Sequence, residues 1–337
     1  MSAAPPILSV RDLRVEFPTA DRHATVKAVD GVSFDIRRGE TFGLIGESGS
    51  GKTTIGRAVV HLARASGGQI LHDGVDAATL SGDAFRKARR HWQIVFQDPN
   101  AALNPRMTIL ESVQEPLNII GETTMVERRR VAVEALERVG LSLEIGARYP
   151  HQLSGGQKQR VVIARTLTMQ PDFIVCDEVV AALDMSIRGD VLNLFAELQR
   201  ELGLTYLFIT HDLSVVSHIS DRIAVAYLGR LVEMGPAEQV TEAPLHPYTR
   251  ALLSAEPIAL PSRLREARRI ILQGEIPSPI DPPSGCHFRT RCPHARDMCA
   301  ASAPQWRELT TGHWVACHFA NADGSMTKEC KNGEVLS

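Results

Sequence analysis

Eight consecutive residues, Gly46-Glu47-Ser48-Gly49-Ser50-Gly51-Lys52-Thr53, follow the pattern GxxxxGKT, which suits a phosphate. Glycines let backbone N–H groups turn inward around phosphate oxygens, and a helix starting after the loop adds the positive end of its dipole. Lys52 is placed to reach β- and γ-phosphates, and the Thr53 hydroxyl to ligate Mg²⁺, with Thr54 next along the same helix. The loop lies between the apolar run TFGLIG and TTIGRAVVHLA, whose apolar spacing is helical. That order is strand, loop, helix.

A second apolar run, Phe173-Ile174-Val175-Cys176, ends in Asp177 and Glu178. Ligands collect at the C-terminal ends of strands in nucleotide-binding sheets. Asp177 is therefore suited to support Mg²⁺, and Glu178 to orient or deprotonate an attacking water. Two solvated acids at a strand end are the plain alternative, and the phosphate loop upstream argues against it. Gln97 closes the strand-like WQIVFQ, and His211 follows TYLFIT. Neither residue carries chemistry by itself.

The elements that must position these groups alternate in type. ILSVRDLRVEF and VKAVDGVSFDI read as strands, with a turn at Arg38-Gly39, and GGQILHDGVD reads as a hairpin. Helical spacing is predicted for about 81–90, for most of 109–139, and for GGQKQRVVIARTLTM and VLNLFAELQREL. RIAVAYLGRLVEMG is predicted to close the domain as a terminal pair of strands. Strands alternating with helices imply an α/β fold, a mainly parallel sheet covered on both faces.

The 337 residues are 44% hydrophobic and 23% charged, enough for a sizeable core, and the formal net charge of −2 argues against a basic nucleic-acid surface. No run of about 18 apolar residues occurs. The start, MSAAPPILSV, lacks a charged region followed by an apolar one, so secretion is not expected.

Composition shifts after Glu256, where IPSPIDPPSG falls in a Pro-rich linker over 257–285. The expected division is a main domain over 7–256, a Cys-rich extension over 257–320 and a loose tail over 321–337. Cys176 reads as a packed core thiol. Cys286, Cys292, Cys299, Cys317 and Cys330 crowd the last 52 residues, a density that points to metal more than to disulfides in a cytosolic protein. Their spacing fits neither a zinc ribbon nor a ferredoxin, and Cys330 lies in the tail.

Leu153-Ser154-Gly155-Gly156-Gln157 is identical to the signature sequence of ABC ATPases. With the phosphate loop, Gln97, Asp177-Glu178 and His211, five elements of that family stand in order, and the resemblance spans about three quarters of the chain. It implies the P-loop ABC ATPase fold, with N-terminal antiparallel strands and a helical subdomain carrying LSGGQ. It also implies that the signature grips the γ-phosphate held by a facing ATPase. Gln97 would sense Mg²⁺ or water and link the site to a membrane partner, His211 would contact the γ-phosphate, and Phe17 would stack on adenine. Ala182-Leu183-Asp184 match the segment after the acidic strand. The family usually has Pro and Ser where this chain has Val179 and Ala181, which puts contacts between subunits, and the full hydrolytic rate, in question.

FQDPNAALNPRMTI, YLFITHDLSVVSHISDRIAVAYLGRLVE and LHPYTRALLSAEP resemble the importers of dipeptides, oligopeptides and nickel, and their second ATPase in particular. The implied partners are a related but different ATPase, two transmembrane permeases and an extracytoplasmic solute-binding protein, with this chain on the cytoplasmic face of the inner membrane. The run GCHFRTRCP resembles the same group's extension, in which some members hold a 4Fe-4S cluster. Cys286, Cys292, Cys299 and Cys317 would be its ligands; zinc or free thiols are the other readings. The competing functions are an ABC ATPase acting on DNA or ribosomes, and a regulatory subunit without turnover.

Overall fold

The computed structural model describes residues 5–19, 24–255 and 270–327. Strands β1 (Leu8–Pro18) and β2 (Thr25–Ile36) pair antiparallel. The alternation in β1 is interrupted where Asp12 takes φ 45°, and the register slips between Val10 and Leu13. This bulge returns Leu13 and Val15 to the core beside Leu8 and Val10. Strand β3 (Thr41–Ile45), buried along its whole length, leads through the phosphate loop into helix α1 (Lys52–Val59). Strands β4 (Gly67–His72) and β5 (Val75–Asp76) form the predicted hairpin and complete a four-stranded sheet ordered β2-β1-β4-β5.

Helix α2 (Gly82–Arg89) precedes β6 (Trp92–Val95). A short helix, α3 (Pro99–Ala102), then opens a helical layer with α4 (Ile109–Ile120), α5 (Met125–Arg138) and α6 (Gly155–Leu167). The predicted helical stretch over 109–139 is two helices because Gly121 stops α4 in the left-handed conformation and Thr124 caps α5. Val113, Ala132, Leu136 and Val161 bury the contact between α4, α5 and α6.

The main sheet is completed by β7 (Phe173–Asp177), β8 (Thr205–Thr210), β9 (Arg222–Tyr227) and β10 (Arg230–Pro236). Helix α7 (Met185–Leu202) joins β7 to β8, α8 (Leu213–Ile219) joins β8 to β9, and α9 (Ala237–Glu242) and α10 (Pro247–Ser254) follow β10. From β9 to β6 the strands run parallel in the order β9-β3-β8-β7-β6.

The predicted pair β9–β10 forms but is not terminal. Strands β11 (Arg307–Thr310) and β12 (His313–Val315), from the Cys-rich segment, add to β10 and extend the same sheet to eight strands. Buried Glu233 ties this junction: its carboxylate accepts from Leu245 N at 2.7 Å, His246 N at 2.8 Å and His313 Nε2 at 2.8 Å. Phe288 packs on Tyr227 and Tyr248. The boundary expected at 256/257 and Cys330 lie outside the described residues. Residues 321–327, expected to begin the loose tail, instead make a turn closed by the Ala320–Met326 bridge, and Arg296 Nη2 donates to Thr327 O at 2.6 Å.

Candidate nucleotide site

The phosphate loop bends through residues that tolerate no side chain. Gly46 has φ 152° and Gly51 has φ 98°. A Cβ at Gly46 would stand 2.2 Å from Ala226 O, and one at Gly51 would stand 2.3 Å from Ala28 O. Ser48 and Gly49 are exposed at the tip. Buried Lys52 turns its ammonium into the loop, donating to Gly46 O at 2.7 Å, Glu47 O at 2.8 Å and Ser50 Oγ at 3.3 Å. Burial lowers its pKa, against the pull of Glu178, Asp177 and Glu47.

The loop and the acidic strand end meet. Thr53 Oγ1 donates to Asp177 Oδ1 at 3.0 Å. Burial raises the Asp177 pKa, opposed by that hydrogen bond and by Arg57. A polyanion beside Lys52 and a cation beside Asp177 would each favour the charged form. Hydroxyl and carboxylate oxygens are the donors a hard cation takes, so Thr53 and Asp177 fit Mg²⁺. Gln97 lies two residues beyond the end of β6, not at the strand end as predicted, and lines a groove with Thr53 and Asp177.

Glu178 turns off the end of β7 with φ 50°, a strained value for a residue with a side chain. Its N–H is held by Ile209 O at 2.9 Å, and Glu178 Oε1 lies 3.1 Å from His211 Nδ1. The acid and the histidine, from neighbouring strands, therefore form a pair at the edge of the site. Val179, in place of the usual proline, is buried in the same core as α6 and α7. The turn past Ala181 is braced by Arg188, which donates to Ala181 O and Leu183 O and pairs with Asp212 at 3.2 Å. Sequence reading missed Arg188, whose role comes only from what it reaches.

Ser154 is the N-cap of α6, in a reciprocal box with Gln157. Leu153 and Gly156 are buried, while Ser154 and Gly155 face outward at the helix start. Leu183 packs 3.8 Å from the position of a Gly155 Cβ, so Ala182-Leu183-Asp184 lie beside the signature. Among the described residues no hydrogen bond or ion pair joins 153–157 to the phosphate loop. Phe17, paired with Val26 in the first sheet, is 45% exposed.

The groove beside Gln97 measures about 990 Å³ and runs between α2, α4 and α6. Phe85, Phe96, Pro116, Ile119 and Met169 give it an apolar floor; Arg57, Arg86, Arg89 and Arg90 line it with cations. Ile119 is 76% exposed.

Cys286, Cys292, Cys299 and Cys317 line one small chamber with Phe288 and Phe319, and none is in a disulfide. Burial pushes the Cys286 thiol up to about 11 and the Cys292 thiol to about 12. Four soft donors suit iron–sulfur or zinc. Yet among the described residues no three His, Cys, Asp or Glu side chains are gathered to hold a metal ion. The donor set matches the expected cluster; the geometry does not.

Residues 29–181 match the family described as ABC transporter, and 232–299 match the oligopeptide/dipeptide transporter, C-terminal region. The chain is 56% identical over 312 residues to a putative peptide import ATP-binding protein of Brucella ovis, covering 93% of this chain and 97% of that one. It is 47% identical to the oligopeptide transport ATP-binding protein OppF of Salmonella typhimurium, covering 92% and 95%. A dimeric ATP-binding cassette solved in a post-hydrolysis state with ADP and phosphate superposes with TM-score 0.61 at 30% identity, covering 68% of this chain and 98% of that one. The cbiO1 protein of Clostridium perfringens, part of the ABC transporter complex cbiONQ, gives 0.63 at 31%, covering 70% and 91%.

Proposed function

The chain belongs to the ABC transporter ATPases, and from that membership we propose that it is the subunit whose ATP hydrolysis powers import of di- or oligopeptides. The observation that carries the reading is the junction of the Thr53–Asp177 pair with the phosphate loop, beside the Glu178–His211 pair. Lys52 and the amides of residues 46–54 bind the phosphates, and Phe17 stacks on the adenine. Thr53, Asp177 and Gln97 would hold Mg²⁺, which would supply charge neutralisation at the phosphates. Glu178 orients and deprotonates the attacking water, and His211 holds Glu178 and the γ-phosphate in register. Val179 is buried in the core at the position of the missing proline.

Peptide cargo is supported by the names of relatives 47–56% identical to this chain. The outward-facing start of α6, with no bond to its own phosphate loop, supports a companion ATPase whose nucleotide Ser154 and Gln157 would contact. The apolar groove with its arginines is a surface for a permease helix, and Gln97 on its wall connects it to the nucleotide. An extracytoplasmic binding protein delivers the solute. No helix among the described residues is long and apolar enough to cross a membrane. As the ATPase of an importer, the chain docks on its permeases from the cytoplasmic face.

Glu178→Gln should abolish phosphate release in the assembled complex while ATP still binds; unchanged turnover would remove this site from the reaction. The four thiols hold a 4Fe-4S cluster only if they close together on assembly. Iron and sulfide should then be recovered at about four each per chain from anaerobically purified protein; a colourless preparation carrying zinc or no metal excludes the cluster.

A further inference from the structure

Arg291 stands in GCHFRTRCP, between Cys286 and Cys292. Its guanidinium, 8% exposed, donates through Nη1 to Glu47 Oε2 at 2.6 Å and through Nη2 to Glu47 Oε1 at 3.0 Å. Glu47 is the second residue of the phosphate loop. Its N–H donates to the hydroxyl of fully buried Tyr248 on α10 at 2.8 Å. Two groups from outside the loop thus fix this residue, one at its backbone and one at its side chain. Arg291 is itself packed near Tyr227, against which Phe288 stands at 5.2 Å.

Phosphate chemistry gives no reason for a carboxylate at that point. A negative charge beside the cradle repels a triphosphate through Coulomb's law, and the half-buried setting screens it incompletely. A two-point guanidinium–carboxylate pair cancels the charge and fixes where it points, which a lysine's single point charge does less well.

We propose that Arg291 is a positioning residue for ATP binding: by neutralising and orienting Glu47 it makes the phosphate loop receptive to a triphosphate, so the C-terminal segment sets nucleotide affinity. The inference rests on the loop being the nucleotide site.

Titration of the full chain with a fluorescent ATP analogue, and ATPase kinetics of the assembled complex, test it. Arg291→Ala should weaken ATP about tenfold, more at low salt, with KM rising and kcat moving less. Adding Glu47→Gln to Arg291→Ala should recover most of that loss, because the uncancelled carboxylate is then gone. Arg291→Lys should fall between. If Arg291→Ala does not fold, the Lys variant carries the same comparison, its loss again reversed by Glu47→Gln. Unchanged affinity in Arg291→Ala, or a double variant no better than the single one, would overturn the proposal and leave Arg291 a prop of the fold. Lys52→Ala is the reference: if it binds ATP like the parent, the site reading itself fails, and this one with it.

Discussion

His72 is 2% exposed and stacks on Trp92 with ring centroids 3.6 Å apart. Its Nε2 donates to Val59 O at 2.8 Å, while Nδ1 is buried with no partner. A second proton would sit on Nδ1 with nothing to accept it, and burial accordingly lowers the pKa to about 3. The unfolded chain, with histidine near its ordinary 6.5, binds that proton at higher pH than the folded chain does. Stability from this residue is therefore whole above pH 6.5 and drains as pH falls towards 3, by at most about 1.4 kcal/mol per unit. His72→Phe keeps a ring against Trp92 but cannot titrate. In urea unfolding at pH 7 and pH 5, the parent should lose about 2 kcal/mol more than the variant. Equal losses would show that another group governs acid sensitivity. Residues of this kind explain what sequence could reveal. Lys52, Thr53, Asp177 and Glu178 were legible because phosphate chemistry demands those types at those spacings. Arg188, Tyr248 and Arg291 were not, since an arginine or tyrosine acquires its meaning from a partner up to 244 residues away.

At the level of elements, legibility followed length and local punctuation. The phosphate loop with its helix, the buried strands β3, β7 and β8, and helix α6 carry their own pattern and appear where expected, while α7, expected from Val191, already begins at Met185. Helices α8 and α9, of seven and six residues, bury too few positions to declare a period and went unread. Strands β11 and β12 are shorter still, and what makes them strands is the free edge of β10, about 80 residues earlier. Gln97 was placed at a strand end because IVFQ is continuous in sequence; pairing with β7 stops at Val95, opposite Cys176. Close approach of elements also left a trace whose meaning needed three dimensions. A Cβ at Gly56 would lie 2.5 Å from Ile209 Cδ1, so the glycine lets α1 settle on β8 and brings Thr53 to Asp177.

On the scale of the whole molecule, the Cys-rich segment is not an appendage, because it shares a sheet and a buried carboxylate with the ATPase. Glu233 has no exposed surface and serves three donors: two consecutive backbone amides leading into α10, and His313 on β12. Removing it strands all three in the interior, a loss of about 3 kcal/mol. Glu233→Ala should accordingly lower the denaturation midpoint of the entire chain in one transition, and not release a separately melting C-terminal piece. Its effect on ATP follows from the path β12, Glu233, α10: Tyr248 sits two residues past His246 and holds Glu47 N–H, while Arg291 holds the Glu47 carboxylate. Loosening that seam should weaken ATP in the parent and add little once Arg291→Ala is already present, since both changes release the same residue of the phosphate loop. Nucleotide titrations on the four chains of this cycle decide it. Two fully additive losses would mean that Glu233 and Arg291 act on the loop by separate routes, and a separate melting transition of the C-terminal segment would mean that the eight-stranded sheet is not one cooperative unit.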